Sequence, residues 1–158
     1  EYYLCTIHRA ENTDDPKNLK EIFDAFEEFG KAIVLPLHPR TRHKLGEYGL
    51  SVPKNVMVCE PVGYTELLSL LLGAQKMITD SGGVQKEAYF LQVPCVTLRN
   101  ETEWIETLDN KWNILCGTDG SKILEALKSR PDSDKQNEAF GDGHSAEKII
   151  EKMLAFKR

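Results

Sequence analysis

Long hydrophobic runs are missing from this sequence. The longest apolar stretch lies near Leu67–Gly73, far short of the roughly 20 residues that cross a bilayer. Basic runs are missing too. The 20 Lys and Arg are outnumbered by 25 Asp and Glu, for a net charge of −5, which argues against nucleic acid as a partner. No signal peptide heads the chain. It opens abruptly on strand-like residues 2–7 and is expected to continue a longer protein. Cysteine is scarce: Cys5, Cys59, Cys95 and Cys116, with no C-x-x-C pair, so a zinc knuckle is excluded. Each cysteine sits in or beside an apolar run, as a buried small hydrophobe does. Free buried thiols suit a reducing, cytoplasmic compartment. Internal repeats and low-complexity tracts are absent.

What remains is an ordinary globular composition. The 158 residues are 41% hydrophobic and 28% charged, enough for one domain, residues 1–158, with its own core. Short β-rich runs fall at Tyr2–Ile7, Ala32–Leu37, Val56–Cys59, Lys76–Thr79, Cys95–Leu98 and Trp112–Leu115. Several are continuously apolar, which favours a parallel sheet buried on both faces. Helical patterns alternate with them. Asp14 or Asp15 caps a helix that begins at Pro16 and ends at Gly30, with Leu19, Ile22, Phe23 and Phe26 on one face. Further helices are predicted over Arg40–Glu47, Thr65–Leu72, Val84–Phe90, Lys122–Lys128 and Ala146–Leu154. Thr65–Leu72 is apolar on most sides and is expected to be buried. Ile149, Ile150, Met153 and Leu154 give the last helix a stripe expected to reach the core. Ser129–Gly143 is polar and broken by Pro and Gly, a loop. The alternation predicts an α/β fold with a Rossmann-like, doubly wound parallel sheet.

In such sheets ligands bind beyond the carboxyl ends of the strands. Those ends here hold His8-Arg9-Ala10-Glu11-Asn12, His38-Pro39-Arg40, Asp80-Ser81-Gly82-Gly83 and Arg99-Asn100-Glu101-Thr102-Glu103. Four polar sets on one predicted edge suggest one site. Ser81-Gly82-Gly83 joins an apolar strand to a helix. Two glycines let a ligand approach the backbone, and a helix N-terminus offers free N–H groups to a phosphate. The motif is neither G-x-G-x-x-G nor a P-loop, and a tight turn with a helix cap fits it equally well. Glu87, one turn on, is placed either to accept the two hydroxyls of a ribose or to face solvent. His8 and His38 end neighbouring runs. Histidine binds phosphate, moves protons or binds metal, but no acidic cluster at metal spacing accompanies these two. Arg9 and Arg99 are anion partners or solvated surface charges.

Taken together the motifs resemble the C-terminal half of the non-hydrolysing UDP-N-acetylglucosamine 2-epimerases. The matching segments are T-I-H-R-A-E-N at 6–12, L-P-L-H-P at 35–39, T-D-S-G-G-V-Q-K-E at 79–87, L-R-N-E-T-E at 98–103 and F-G-D-G at 140–143, across nearly the whole chain. The resemblance implies the C-terminal half of a GT-B-type two-domain fold whose N-terminal domain lies outside this sequence. It implies a UDP-sugar substrate, with Ser81, Gly82 and Gly83 toward the diphosphate, Glu87 toward the ribose and Arg99 among the residues that bind UDP. His8 would be the catalytic residue, lining the cleft. Arg9 and His38 match positions that hold a second, regulatory UDP-sugar. It further implies a homodimeric cytoplasmic enzyme that needs neither metal nor cofactor. The sequence departs from the family where Trp104 replaces a frequent Arg, where Lys86 replaces a frequent Glu, and at Pro39-Arg40, where Asn is frequent. Other UDP-sugar 2-epimerases including hydrolysing ones, a GT-B glycosyltransferase, and a nucleotide-binding module without catalysis share enough of these features to stay open.

Overall fold

The structure, a computed structural model, describes residues 1–156. Six strands form one sheet: β1 (Tyr3–Thr6), β2 (Ile33–Pro36), β3 (Val56–Cys59), β4 (Met77–Thr79), β5 (Cys95–Thr97) and β6 (Asn113–Leu115). Their spatial order is β3-β2-β1-β4-β5-β6, and every pairing is parallel. The chain winds outward from β1 to β3, returns to the centre, and winds outward again from β4 to β6. The direction of winding therefore reverses between β1 and β4, where a doubly wound sheet opens a crevice.

Alternate residues of β1 face opposite sides and enter two separate cores. Tyr3, Cys5 and Ile7 pack with α2 (Pro16–Phe29), α3 (Pro39–Tyr48) and α6 (Gly120–Lys128) through Leu19, Ile22, Phe26, Leu45, Ile123 and Leu127. Leu4 packs on the other face with α4 (Tyr64–Leu72) and α5 (Gly82–Phe90) through Leu71 and Ala88. Helix α2 follows its local signals closely. The Asp15 side chain accepts from the Lys17 amide, Pro16 takes the first position, and Gly30 ends the helix at φ 69°.

A single turn, α1 (Ala10–Thr13), and a 3₁₀ segment (Ile105–Lys111) complete the strand-end loops; neither has a periodic pattern in the sequence. Three expectations are corrected. Helix α4 is fully buried only at Leu71, with Leu67 and Leu70 half-buried against the same core and Leu72 63% exposed. The last helix, α7 (Ser145–Ala155), forms, but none of its residues is buried, and the stripe Ile149, Ile150, Met153 and Leu154 is open to solvent. Both faces of the sheet are already covered by the other helices, so this stripe has no core left to join. Cys5, Cys95 and Cys116 are buried as expected, but Cys59, on the edge strand, is only half-buried. Burial pushes Cys95 and Cys116 up to about 12. Among the described residues no helix is long and apolar enough to span a membrane.

Candidate functional site

The carboxyl ends of β1 and β4 lie side by side, with Thr6 and Thr79 in register and their hydroxyls 2.7 Å apart. The next residues along each chain meet around Asp80, which is fully buried. Its carboxylate accepts from the His8 amide (3.0 Å), the Arg9 amide (2.9 Å) and Asn12 Nδ2 (3.1 Å). Asn12 also donates to the Leu98 carbonyl at the end of β5. Asp80 and Asn12 together thus tie the three loops that follow β1, β4 and β5. Asp80 lies in a strand-end motif that the sequence singles out, but its own role there goes unread. The available signal was an acidic residue directly after a continuously apolar strand.

His8 and His38 are neighbours, with ring centroids 5.4 Å apart. Both line an apolar-walled cavity of about 180 Å³, together with Thr6, Pro61, Leu67 and Val84. A larger cleft of about 430 Å³ runs along Lys20, Asp24 and Glu27 of α2 and residues 49–54. It contains none of the strand-end residues.

Ser81 caps α5, its hydroxyl accepting weakly from the Val84 amide at 3.5 Å. The helix begins at Gly82, two residues earlier than the sequence predicts, so both glycines form its first turn, and neither needs positive φ. Their reasons for being glycine differ. A Cβ on Gly82 would sit 3.0 Å from Glu103 Oε2 and 3.6 Å from Trp104 Nε1, whereas one on Gly83 meets nothing closer than Ser81 Oγ at 3.9 Å. Gly83 therefore presents open helix N-terminus, and Gly82 is packed against the loop after β5.

That loop carries Arg99, which is buried rather than a solvated surface charge. Arg99 Nη1 donates to both Glu103 oxygens at 3.0 Å, while its Nε, also buried, has no partner. The Glu103 amide and the Arg99 guanidinium hold the Glu103 carboxyl below the usual carboxylate range, and Arg9 adds to the effect. The loop is pinned from below by Gln85 of α5, whose Oε1 accepts from Thr102 Oγ1 (2.6 Å) and Asn113 Nδ2 (3.2 Å). Glu87 accepts from the Tyr64 hydroxyl at 2.9 Å, and this bond pushes the Tyr64 phenol up. Tyr64 touches a nominated residue but lies in no segment that the sequence singles out, whereas Asp80, Gln85 and Glu103 lie in segments that it does, without a role of their own.

His38 caps α3, its Nδ1 accepting from the Arg40 amide at 3.1 Å. Arg40 turns away to Asp14 (2.6 Å) and Thr13 (2.8 Å). Lys86 and Trp104, two departures from the family pattern, are partners here. The ammonium lies 4.2 Å from the indole ring, and Phe140 from the long loop closes over both. Of the eight residues nominated from sequence, seven thus lie on the loops and helix ends beyond the carboxyl edge of the sheet, and Glu87 sits within α5. Among the described residues no group of three His, Cys, Asp or Glu is placed to hold a metal.

With this geometry established, the profile of the family described as UDP-N-acetylglucosamine 2-epimerase matches residues 1–154. The chain belongs to that family. It is 52% identical over 95% of its length to a UDP-N-acetylglucosamine 2-epimerase homolog of Methanococcus maripaludis, covering 43% of that protein. It is 42% identical, again over 95% of its length and 43% of the relative, to the UDP-2,3-diacetamido-2,3-dideoxy-D-glucuronate 2-epimerase of Pseudomonas aeruginosa. The Methanocaldococcus jannaschii UDP-GlcNAc 2-epimerase, solved in complex with UDP-GlcNAc and UDP, superposes with a TM-score of 0.85 at 40% identity, over 98% of this chain and 45% of that one. The chain therefore spans less than half the length of the relatives it matches.

Proposed function

We propose that this chain is the C-terminal, UDP-holding domain of a UDP-sugar 2-epimerase, with UDP-N-acetylglucosamine and UDP-N-acetylmannosamine as the interconverted pair. The observation that carries the reading is the open N-terminus of α5 at Gly83, set at the β1–β4 reversal between His8 on one side and Arg99 on the other. Free N–H groups and the positive end of the helix suit a diphosphate. Glu87, one turn further on, reaches the ribose. Inversion at a sugar C2 is hard because that proton is not acidic. Elimination breaks the C1–O bond to UDP and passes the C2 proton to a base, so the electron pair enters the C1=C2 bond of a glycal and no free carbanion forms; UDP then re-adds at C1 as a proton reaches the other face of C2. A domain that stabilises the departing pyrophosphate lowers that barrier. The acid and base carboxylates then belong to an N-terminal domain outside these residues. The same family reading makes the full-length enzyme a cytoplasmic homodimer without metal or cofactor, and Arg9 with His38 a regulatory UDP-sugar site.

A second reading keeps the reaction and changes the sugar. Identity to the Pseudomonas aeruginosa enzyme, 42%, is level with the 40% to the UDP-GlcNAc-bound structure, so identity does not choose between the two sugars. Supplying the full-length protein with both UDP-sugars, and measuring epimerised product, free UDP and free sugar, separates the two readings from a hydrolase and from a transferase. The nucleotide site is tested in the chain itself by calorimetry. UDP binds more tightly than UMP or uridine. Glu87→Gln lowers UDP affinity about tenfold, one decade being ~1.4 kcal/mol, and leaves inorganic pyrophosphate unchanged. Equal losses for both ligands would move Glu87 from the ribose to the scaffold of the turn.

A further inference from the structure

We infer that Asp80 is a positioning residue that fixes the tautomer of His8, placing the proton on Nδ1 and leaving Nε2 as an acceptor toward the cavity. The inference deepens the reading of His8 as a site residue and rests on it.

The carboxylate of Asp80 is fully buried, and every hydrogen bond it makes is to a donor N–H. Its Oδ1 also lies 3.4 Å from His8 Nδ1. That separation is longer than a formed hydrogen bond, as is common before a ligand closes a site, but it is short enough to decide the tautomer. A lone pair on Nδ1 would face a carboxylate oxygen across 3.4 Å with no water between, whereas an N–H there is attracted. The same carboxylate grips the amides of His8 and Arg9, so it holds both the backbone under the ring and the edge of the ring. Thr41 Oγ1, donating to the Ile7 carbonyl, braces the residue before.

His38 supplies the complement. Its Nδ1 accepts the Arg40 amide, so in the neutral ring the proton sits on Nε2. Two imidazoles 5.4 Å apart, tilted by 36°, therefore offer opposite functions to the same cavity: an acceptor from His8 and a donor from His38. A neutral His8 in this form accepts from a ligand hydroxyl and does not donate to a phosphate oxygen. This assigns the hydroxyl-bearing part of the ligand to His8 and leaves the phosphates to α5 and Arg99.

Long-range ¹H–¹⁵N correlation on the ¹⁵N-labelled chain, at a pH where histidine is neutral, reads which ring nitrogen carries the proton. The expected result is Nδ1–H for His8 and Nε2–H for His38. In Asp80→Asn the carboxamide oxygen keeps the backbone N–H bonds, its NH₂ turns toward Nδ1, and His8 flips to Nε2–H while His38 stays unchanged. Finding Nε2–H on His8 in the parent chain overturns the inference, whether or not the variant folds. A folded Asp80→Asn in which the His8 tautomer is unchanged overturns it too. In the full-length enzyme the same substitution lowers kcat by about a hundredfold or more with KM within about threefold; the corresponding Asp→Asn change in a Ser-His-Asp triad costs roughly 10⁴ through the wrong tautomer. Parallel changes in kcat and KM would make Asp80 purely structural. If the tautomers are as stated but UDP does not bind, the nucleotide reading falls and the positioning role stands.

Discussion

Strand β4 is three residues long and has a buried charge at each end. Lys76 precedes it, 7% exposed, and Asp80 follows it, 0% exposed. The Lys76 ammonium donates to the carbonyls of Ala126 and Ser129 and to the Ser129 hydroxyl, closing the C-terminal end of α6, where unpaired carbonyls and the helix dipole favour a cation. Asp80 gathers N–H groups from another loop and touches a histidine that faces a cavity. Both charges are buried and both are satisfied. The difference lies in what they organise: Lys76 finishes one helix, whereas Asp80 joins two strand ends and, through Asn12, a third. Burial marks a charge as required, and only its partners say whether for the fold or for a site.

The sharpest way to break this comparison is to delete each charge. Asp80→Ala strands three donors, at roughly 1–3 kcal/mol each. Unfolding free energy should fall by about 3 kcal/mol or more in urea titrations, with UDP binding lost. Lys76→Met keeps an apolar side chain of similar length against the end of α6. It should cost less than half as much and leave UDP affinity unchanged. A folded Lys76→Met that no longer binds UDP would erase the distinction.

Titration gives a second, smaller contrast. Burial lowers Lys76 from 10.5 to about 8. Between those values the unfolded chain holds a proton that the folded chain has shed. The unfolded state binds more protons, so stability rises with pH across that window. Urea midpoints measured from pH 7.5 to 9 should show a rise in the parent chain that Lys76→Met removes; above the ordinary thiol value of 9.0 the raised Cys95 and Cys116 act in the opposite sense.

The smallest effects separate the two glycines at the mouth of α5. Gly83→Ala places a methyl in open space and should stabilise the fold by about 0.4–1 kcal/mol. Gly82→Ala drives its Cβ to 3.0 Å from Glu103 Oε2, disturbs the Arg99–Glu103 pair, and should weaken UDP binding several-fold by calorimetry. Equal behaviour would mean the loop after β5 is not fitted to the helix.

Helix α2 was fully legible because its cap, its proline, its apolar face and its terminal glycine are all local signals. The strand-end residues were legible as a set because a doubly wound sheet collects them on one edge. Strand order was not, since β-rich runs look alike whether central or peripheral. Neither was the fate of α7: an apolar stripe at helical spacing specifies a face to be covered without saying what covers it. The role of Asp80 was hidden for the same reason, because its partners His8, Arg9 and Asn12 lie 68 to 72 residues away in sequence.

The central position of β1 sets when the site comes into being. Strands β1, β2 and β3 follow one another in the chain, joined by crossovers through α1, α2 and α3, and can assemble as soon as that stretch of chain exists. The other edge of β1 then waits for β4, whose arrival closes a loop of about seventy residues. Such closures are slow relative to local contacts. The crevice between β1 and β4, with Asp80 beside it, is therefore expected among the last features to form, and the proposed nucleotide site with it. Ligand added to a refolding chain should accumulate on the native state alone, slowing its unfolding without accelerating its folding.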